Sequence, residues 1–282
     1  MTLPPNIERQ HVRILFIGDI VGKPGVSIVV QALPGLRRRE SIDLVIANGE
    51  NSENGSGITP AIYRKLIAAG VDCVTLGDHI YRKKDIISIL EGQDNIVKPA
   101  NYPAEAPGKN WVVVKSETGR KVIVFSLMGR VFMKPVDCPY TKANQILDEM
   151  PDDIPIRFCD FHAEATSDKQ LMGRHLDGRV TAVCGTHTHV PTADEQILPG
   201  GTAFISDVGM TGPHESILGR RIEKVLQATL TFRPIPFDVA TGDVQISGVI
   251  IDVDPKSGKG QGIRRIKVNE KQAEDLEDEF ED

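Results

Sequence analysis

Short apolar runs, each ending in a polar group of acids, amides or histidines, recur along this chain and restrict its fold more than any other feature. Val12–Ile17 (VRILFI) leads into Gly18-Asp19, Asp43–Ala47 (DLVIA) into Asn48-Gly49-Glu50-Asn51, and Val71–Leu76 (VDCVTL) into Gly77-Asp78-His79. Runs of this length, rich in branched side chains, read as buried strands. Helical segments separate them. Residues 26–39 form the first, with Pro24 near its start and Pro34 expected to kink or break it. Thr59-Pro60 opens a second, which runs to about Ala69 and closes at Gly70, and Asp85–Leu90 forms a short third. Strand and helix in alternation predict a parallel sheet covered by helices.

The second half changes character. Trp111–Lys115 and Lys121–Met128 flank Glu117-Thr118-Gly119-Arg120 and read as a β-hairpin. Ala143–Met150 and Ser167–Leu176 read as helices, and Ile154–Phe161, Val180–Cys184, Thr202–Ser206 and Val244–Asp252 as strands. No internal repeat is evident, so one α/β domain is expected over residues 12–269, after an N-terminal arm (1–11) and before an acidic tail (270–282). That tail holds eight acids against one base and carries the acidity behind the formal net charge of −6. It reads as a solvated, disordered end. The remaining body is close to neutral, which gives no support to a footprint for long nucleic acid. No apolar run approaches the roughly 18 residues of a membrane helix, and the N-terminus lacks the basic and apolar regions of a secretory signal. Cys73, Cys138, Cys159 and Cys184 have no CxxC spacing and are expected as buried thiols of a reducing compartment, hence a cytoplasmic location.

The later strands repeat the polar ending, with Asp160-Phe161-His162 and Gly185-Thr186-His187-Thr188-His189. In open α/β sheets ligands bind beyond the carboxyl ends of strands, so these groups should converge on one edge. A glycine just before each polar group lets the backbone turn and a ligand approach closely. Carboxylate, amide oxygen and imidazole suit iron, manganese or zinc without any thiolate. His187 and His189, two apart in an extended segment, would point to the same side and reach one metal centre. Taken singly, Asp19 reads as a cap or turn residue, Glu50 and Asn51 as solvated loop residues, Asp78-His79 as a surface pair and His162 as a hydrogen-bonded strand end. Their recurrence on one edge favours a two-metal hydrolase of phosphate esters. His11, His175 and His214 are expected not to be ligands.

The ordered stretches LFIGDIVGKPG, VIANGENSENGSGIT, TLGDHIY, VKPANYP, DFHAEATSDKQLMG and GRVTAVCGTHTHVPTADEQILPGGTAFISDVGMTGP resemble the calcineurin-like metallophosphoesterases, and more finely their bacterial YmdB-type family of cyclic-nucleotide phosphodiesterases. The resemblance implies a four-layer αββα sandwich and hydrolysis of 2′,3′-cyclic nucleotides or related phosphodiesters by attack of a metal-bound hydroxide. Two metal ions are implied, iron or manganese, with zinc also compatible. Asp19, Glu50, Asn51 and His189 would hold one ion, and Glu50, Asp78, His162 and His187 the other, with Glu50 bridging. His79 would be the general acid. The family usually carries asparagine where this chain has Asp78, and a tryptophan near the position of Ile80-Tyr81. A sensing protein that keeps the metal cage, or a phosphomonoesterase on the same scaffold, are the alternatives. The implied partner is a small phosphodiester; no membrane is implied, and a homo-oligomer is left open.

Overall fold

The computed structural model describes residues 11–281, so the expected N-terminal arm lies outside the described residues except for His11. The alternating first part comprises β1 (Val12–Ile17), α1 (Gly22–Arg39), β2 (Leu44–Asn48), α2 (Pro60–Ala68), β3 (Cys73–Thr75), α3 (Ile87–Gly92) and β4 (Ile96–Val97). The hairpin of β5 (Trp111–Lys115) and β6 (Lys121–Met128) follows, then α4 (Pro139–Glu149), β7 (Arg157–His162), α5 (Thr166–Leu176), β8 (Ala182–Thr186), β9 (Gln196–Ile197) and β10 (Ala203–Ile205). The last part holds β11 (Gly212–Pro213), α6 (Ile222–Thr231), β12 (Val244–Val253), β13 (Gly260–Asn269) and α7 (Glu270–Glu281).

Two sheets result. One has the order β11-β12-β1-β2-β3-β4, with β13 paired to β12; the other has the order β5-β6-β7-β8-β10-β9. Neighbours from β1 to β4 run parallel, as do β6, β7, β8 and β10, while β12 lies antiparallel to β1. All carboxyl ends within each parallel set therefore point to one edge.

Alternation along the strands makes the layers. Ile14 and Phe16 of β1, with Leu44 and Ile46 of β2, face the second sheet and meet Val122, Val124, Phe158 and Ala182. The Phe16 and Phe158 rings join the sheets with centroids 4.9 Å apart. Leu15, Ile17, Val45 and Ala47 face the other way, onto Leu33 and Leu36 of α1 and Leu66 of α2. On the far side, Ile123, Phe125, Cys159 and Phe161 pack on Ile146 of α4 and Met172 and Leu176 of α5. The result is the four-layer αββα sandwich that the resemblance implied.

Two expectations are corrected, and two elements appear that had none. Pro34 does not end α1, which starts at Gly22 and continues to Arg39; burial of Leu33 and Leu36 on the sheet outweighs the lost donor. The strand β13 and helix α6 had no reading in the sequence. The acidic segment expected as a disordered tail is helix α7, with Ala273 and Leu276 fully buried among residues of α1. Its start is a capping box: Asn269 Oδ1 accepts from Gln272 N at 2.9 Å, and Asn269 N donates to Gln272 Oε1 at 3.0 Å. Glu274, Asp275, Glu277 and Asp278 are exposed.

Candidate metal centre

Asp19 follows β1, Glu50 and Asn51 follow β2, and Asp78 and His79 follow β3, while His162 ends β7 and His187 and His189 follow β8. The first three strands belong to one sheet and the last two to the other. The centre therefore lies where the carboxyl ends of both sheets meet. One ligand-capable atom from each of Glu50, Asp78, His162 and His187 lies within 4.8 Å of all the others. His162 Nε2 stands 3.1 Å from Glu50 Oε1, 3.4 Å from Asp78 Oδ1 and 3.0 Å from His187 Nδ1. Beside this group, His189 Nε2 is 3.9 Å from Asp19 Oδ1 and 3.2 Å from Asn51 Nδ2, and Asn51 Nδ2 is 3.2 Å from Glu50 Oε1. All seven side chains expected as ligands are thus adjacent.

The donor set fits a cation. Asp19 Oδ1 and Asp78 Oδ1 are buried and accept no hydrogen bond, an arrangement that is costly for carboxylates unless a positive charge lies against them. Oxygen and imidazole donors with no thiolate match iron, manganese or zinc. Burial raises the Asp19 carboxyl to about 6. Burial also opposes a charge on His162, but Glu50 and Asp78 outweigh it and hold this imidazole well above its ordinary value. Asp78, against the same burial, is held well below the usual carboxylate range by His162. Burial lowers His187 to about 4, leaving it neutral and able to donate a lone pair.

Three features of the frame were not read from the sequence. First, His187 and His189 do not lie in an extended segment: β8 ends at Thr186, and the two have φ of 98° and 65°. Such left-handed backbone costs about 1–3 kcal/mol per residue and persists only where neighbours impose it. Second, the Thr186 hydroxyl donates to Asp160 Oδ1 at 2.7 Å and lies 2.9 Å from His162 Nδ1. Asp160 also accepts from Asn48 Nδ2 and Thr75 Oγ1 at 2.9 and 2.6 Å. With its hydroxyl hydrogen committed, Thr186 accepts from His162 Nδ1–H, which leaves Nε2 free for a metal. Third, Gly77 serves close approach and not a positive φ. A Cβ there would sit 2.3 Å from His162 Cδ2 and 2.4 Å from Glu50 Oε2.

His79 stands at the margin. Its Nδ1 is 2.7 Å from Asn51 Oδ1, its backbone N donates to Glu50 Oε2 at 3.1 Å, and its Nε2 is 3.8 Å from Asp78 Oδ2. Asn51 turns its amide nitrogen to Glu50 and His189 and its oxygen to His79, the reverse of ligation through Oδ1. Lys134 Nζ lies 3.9 Å from Asp78 Oδ2, and Glu164 Oε2 lies 3.2 Å from His187 Nε2. Neither had been singled out, since both sit in loops without a strand-end signature. The other histidines bond elsewhere: His11 to Gln261, His175 to Asn144 and His214 to the Met210 carbonyl. All four cysteines are free, three of them buried.

The family model described as YmdB-like protein matches residues 15–266. A Bacillus subtilis protein named 2′,3′-cyclic-nucleotide 2′-phosphodiesterase is 46% identical over 258 residues, 92% of this chain and 97% of its own. Among solved structures, a hypothetical protein from Thermus thermophilus has a TM-score of 0.86 at 40% identity, covering 92% of this chain and 99% of its own. A novel phosphatase from Mycoplasma pneumoniae has a TM-score of 0.85 at 31% identity, covering 92% and 94%.

Proposed function

This chain belongs to the YmdB-like family, and on that premise we propose that it is a metal-dependent phosphodiesterase acting on 2′,3′-cyclic nucleotides or related small phosphodiesters. The observation that carries the reading is the convergence of ligand atoms from Glu50, Asp78, His162 and His187 within 4.8 Å. The name of the Bacillus subtilis relative supports the substrate class.

In this reading Asp78, His162 and His187 would hold one ion, Asp19, Asn51 and His189 would hold the other, and Glu50 would serve both. The position of Glu50 supports the sharing, since its Oε1 lies near both His162 Nε2 and the Asn51 amide. Ligation by Asn51 needs its amide turned over, a change between groups of nearly equal size. When bound, the ions, iron or manganese, supply Lewis acidity toward the phosphate and activate a water. The residues do the remainder. Glu50 and Asn51 fix the His79 ring through its backbone N–H and Nδ1, which leaves Nε2 to face the leaving oxygen. Burial lowers the His79 imidazole, while Glu50 and Asp78 pull it upward; an arriving phosphate anion adds to that upward pull and favours the proton-bearing form. The free cysteines support a cytoplasmic setting, and among the described residues no helix is long and apolar enough to cross a membrane.

The test is hydrolysis of 2′,3′-cAMP and bis-p-nitrophenyl phosphate by chelator-stripped protein, before and after addition of Mn²⁺ or Fe²⁺. Metal-dependent release of product from both is expected. Nucleotide binding without release would favour a sensing role, and activity confined to monoesters a phosphomonoesterase.

A further inference from the structure

The stretch DFHAEATSDKQLMG contains a charge pair that the chemistry above does not use. Asp168 and Lys169 stand consecutively in the first turn of α5, and each reaches a different loop at the rim of the centre. Asp168 Oδ2 accepts from the backbone N–H groups of Arg130 and Val131 at 3.0 and 3.1 Å, fixing the segment that leads to Lys134. Lys169 is only 2% exposed, and its ammonium donates to Asp207 Oδ2 at 2.6 Å; Asp207 is 1% exposed. That carboxylate also accepts from Thr188, through the backbone N at 3.1 Å and the hydroxyl at 2.7 Å, while Asp207 Oδ1 accepts from Gly209 N at 2.8 Å.

Thr188 is the residue between His187 and His189. Both histidines hold left-handed backbone, which ordinary side chains avoid, and neither imidazole is itself anchored by the segment. His187 has its N–H on Asp19 Oδ2 at 3.0 Å, and His189 has Nδ1 near the Leu218 carbonyl at 3.1 Å. Among the described residues, Thr188 ties the segment twice to one carboxylate, that of Asp207. A buried carboxylate strong enough to hold that attachment needs a counter-charge, and Lys169 provides it. Gly185 lies against the same strand end: a Cβ there would meet the Ser206 carbonyl oxygen at 1.7 Å and Lys169 Cδ at 3.0 Å.

We propose that the buried Lys169–Asp207 ion pair, acting through Thr188, is a positioning device that holds His187 and His189 turned toward the metal centre. This rests on the reading of those histidines as ligands and goes beyond it, since neither Lys169 nor Asp207 touches the centre. The pair sets metal affinity more than global stability.

Mn²⁺ titration by calorimetry on the chelator-stripped full chain, together with the thermal midpoint without metal, tests it. Thr188→Val removes the hydroxyl bond without altering buried charge. It should leave the metal-free midpoint near the wild-type value and weaken Mn²⁺ binding by about 10–100-fold, the usual loss when an outer partner of a ligand is removed. Lys169→Met should weaken binding at least as much and also lower the midpoint; if it does not fold, Thr188→Val still decides. Unchanged affinity in folded Thr188→Val would overturn the proposal and leave the pair a stabiliser of the fold. A wild-type chain that binds no Mn²⁺ would overturn it as well. A wild-type chain that binds Mn²⁺ but hydrolyses no phosphodiester would overturn the proposed function alone, with the affinity losses still upholding the positioning role.

Discussion

Among individual residues, His79 separates chemistry from simple charge. Its ring is held by Asn51 and the main chain beside Glu50, outside the four converging ligand atoms. A nucleoside oxygen leaves poorly without a proton, whereas p-nitrophenolate leaves readily as an anion. His79→Ala should therefore retain its metal, lose roughly 10²–10⁴-fold in kcat on 2′,3′-cAMP, and lose much less on bis-p-nitrophenyl phosphate. Equal losses would make His79 an electrostatic binder of phosphate. Asp78 poses a second question of charge, since a carboxylate stands where asparagine would keep the donor oxygen and remove the charge. Lys134 at 3.9 Å offsets part of that charge. Asp78→Asn should raise kcat/KM for a phosphodiester and weaken metal retention, with metal content and kinetics measured on one preparation. If both stay at wild-type values, the extra charge has no consequence.

Among elements, α7 shows how charge can hide a packed helix. Its acids gave the segment the look of a solvated end, yet Ala273 and Leu276 recur at helical spacing and Asn269 with Gln272 closes the first turn. Gly35 of α1 receives it so closely that a Cβ there would meet the Leu276 carbonyl at 2.1 Å. Leu276→Ala should cost about 2–5 kcal/mol in a urea denaturation, the range for a buried leucine, while specific activity of the folded fraction is kept. A disordered tail would give no change in stability. Helix α5 is the other element with a role beyond packing, because its first turn holds two site loops at once.

Over the whole molecule, the centre sits between two sheets and gathers buried carboxylates and imidazoles for which protons and a cation would compete, and this couples metal to stability and pH. Asp19 is raised from its ordinary 3.8 to about 6 by burial, and His162 is held well above its ordinary value by Glu50 and Asp78. A folded pKa above the unfolded one means that the bound proton stabilises the fold. For Asp19 that stability is full below about 4 and is lost as pH rises to about 6; for His162 it is lost as pH rises through its raised value. A cation replaces those protons. The gain in thermal midpoint on adding Mn²⁺ should accordingly grow between about pH 5.5 and about pH 7.5, as ligand and proton cease to compete. A gain that stays constant across that range would show that these groups carry no protons in the cation-free fold.

Much of the fold was legible because its signals are local. A buried strand needs branched apolar residues over five or six positions, and a residue that binds beyond its end must follow at once, so Gly18-Asp19, Gly49-Glu50-Asn51 and Gly77-Asp78-His79 could be read as one series. The four layers were implied by the family resemblance alone, and the structure builds them from alternation along the same strands. What the sequence could not decide was anything set by partners distant in the chain. Asp160 looked like another strand-end acid and lies behind His162, because Asn48, Thr75 and Thr186 from three separate strands fill its lone pairs. The glycines were read as allowing a turn and the close approach of a ligand; Gly77 is needed for the approach of the His162 and Glu50 side chains, which only folding brings near it. His187 and His189 were expected to share a side through strand geometry, and they do so through left-handed backbone tied by Thr188 to Asp207 and, across α5, to Lys169. Local hydrophobic pattern and steric preference chose the elements and the ligand types; the aim of each ligand depended on buried hydrogen bonds and charges between segments that have no common signal along the chain.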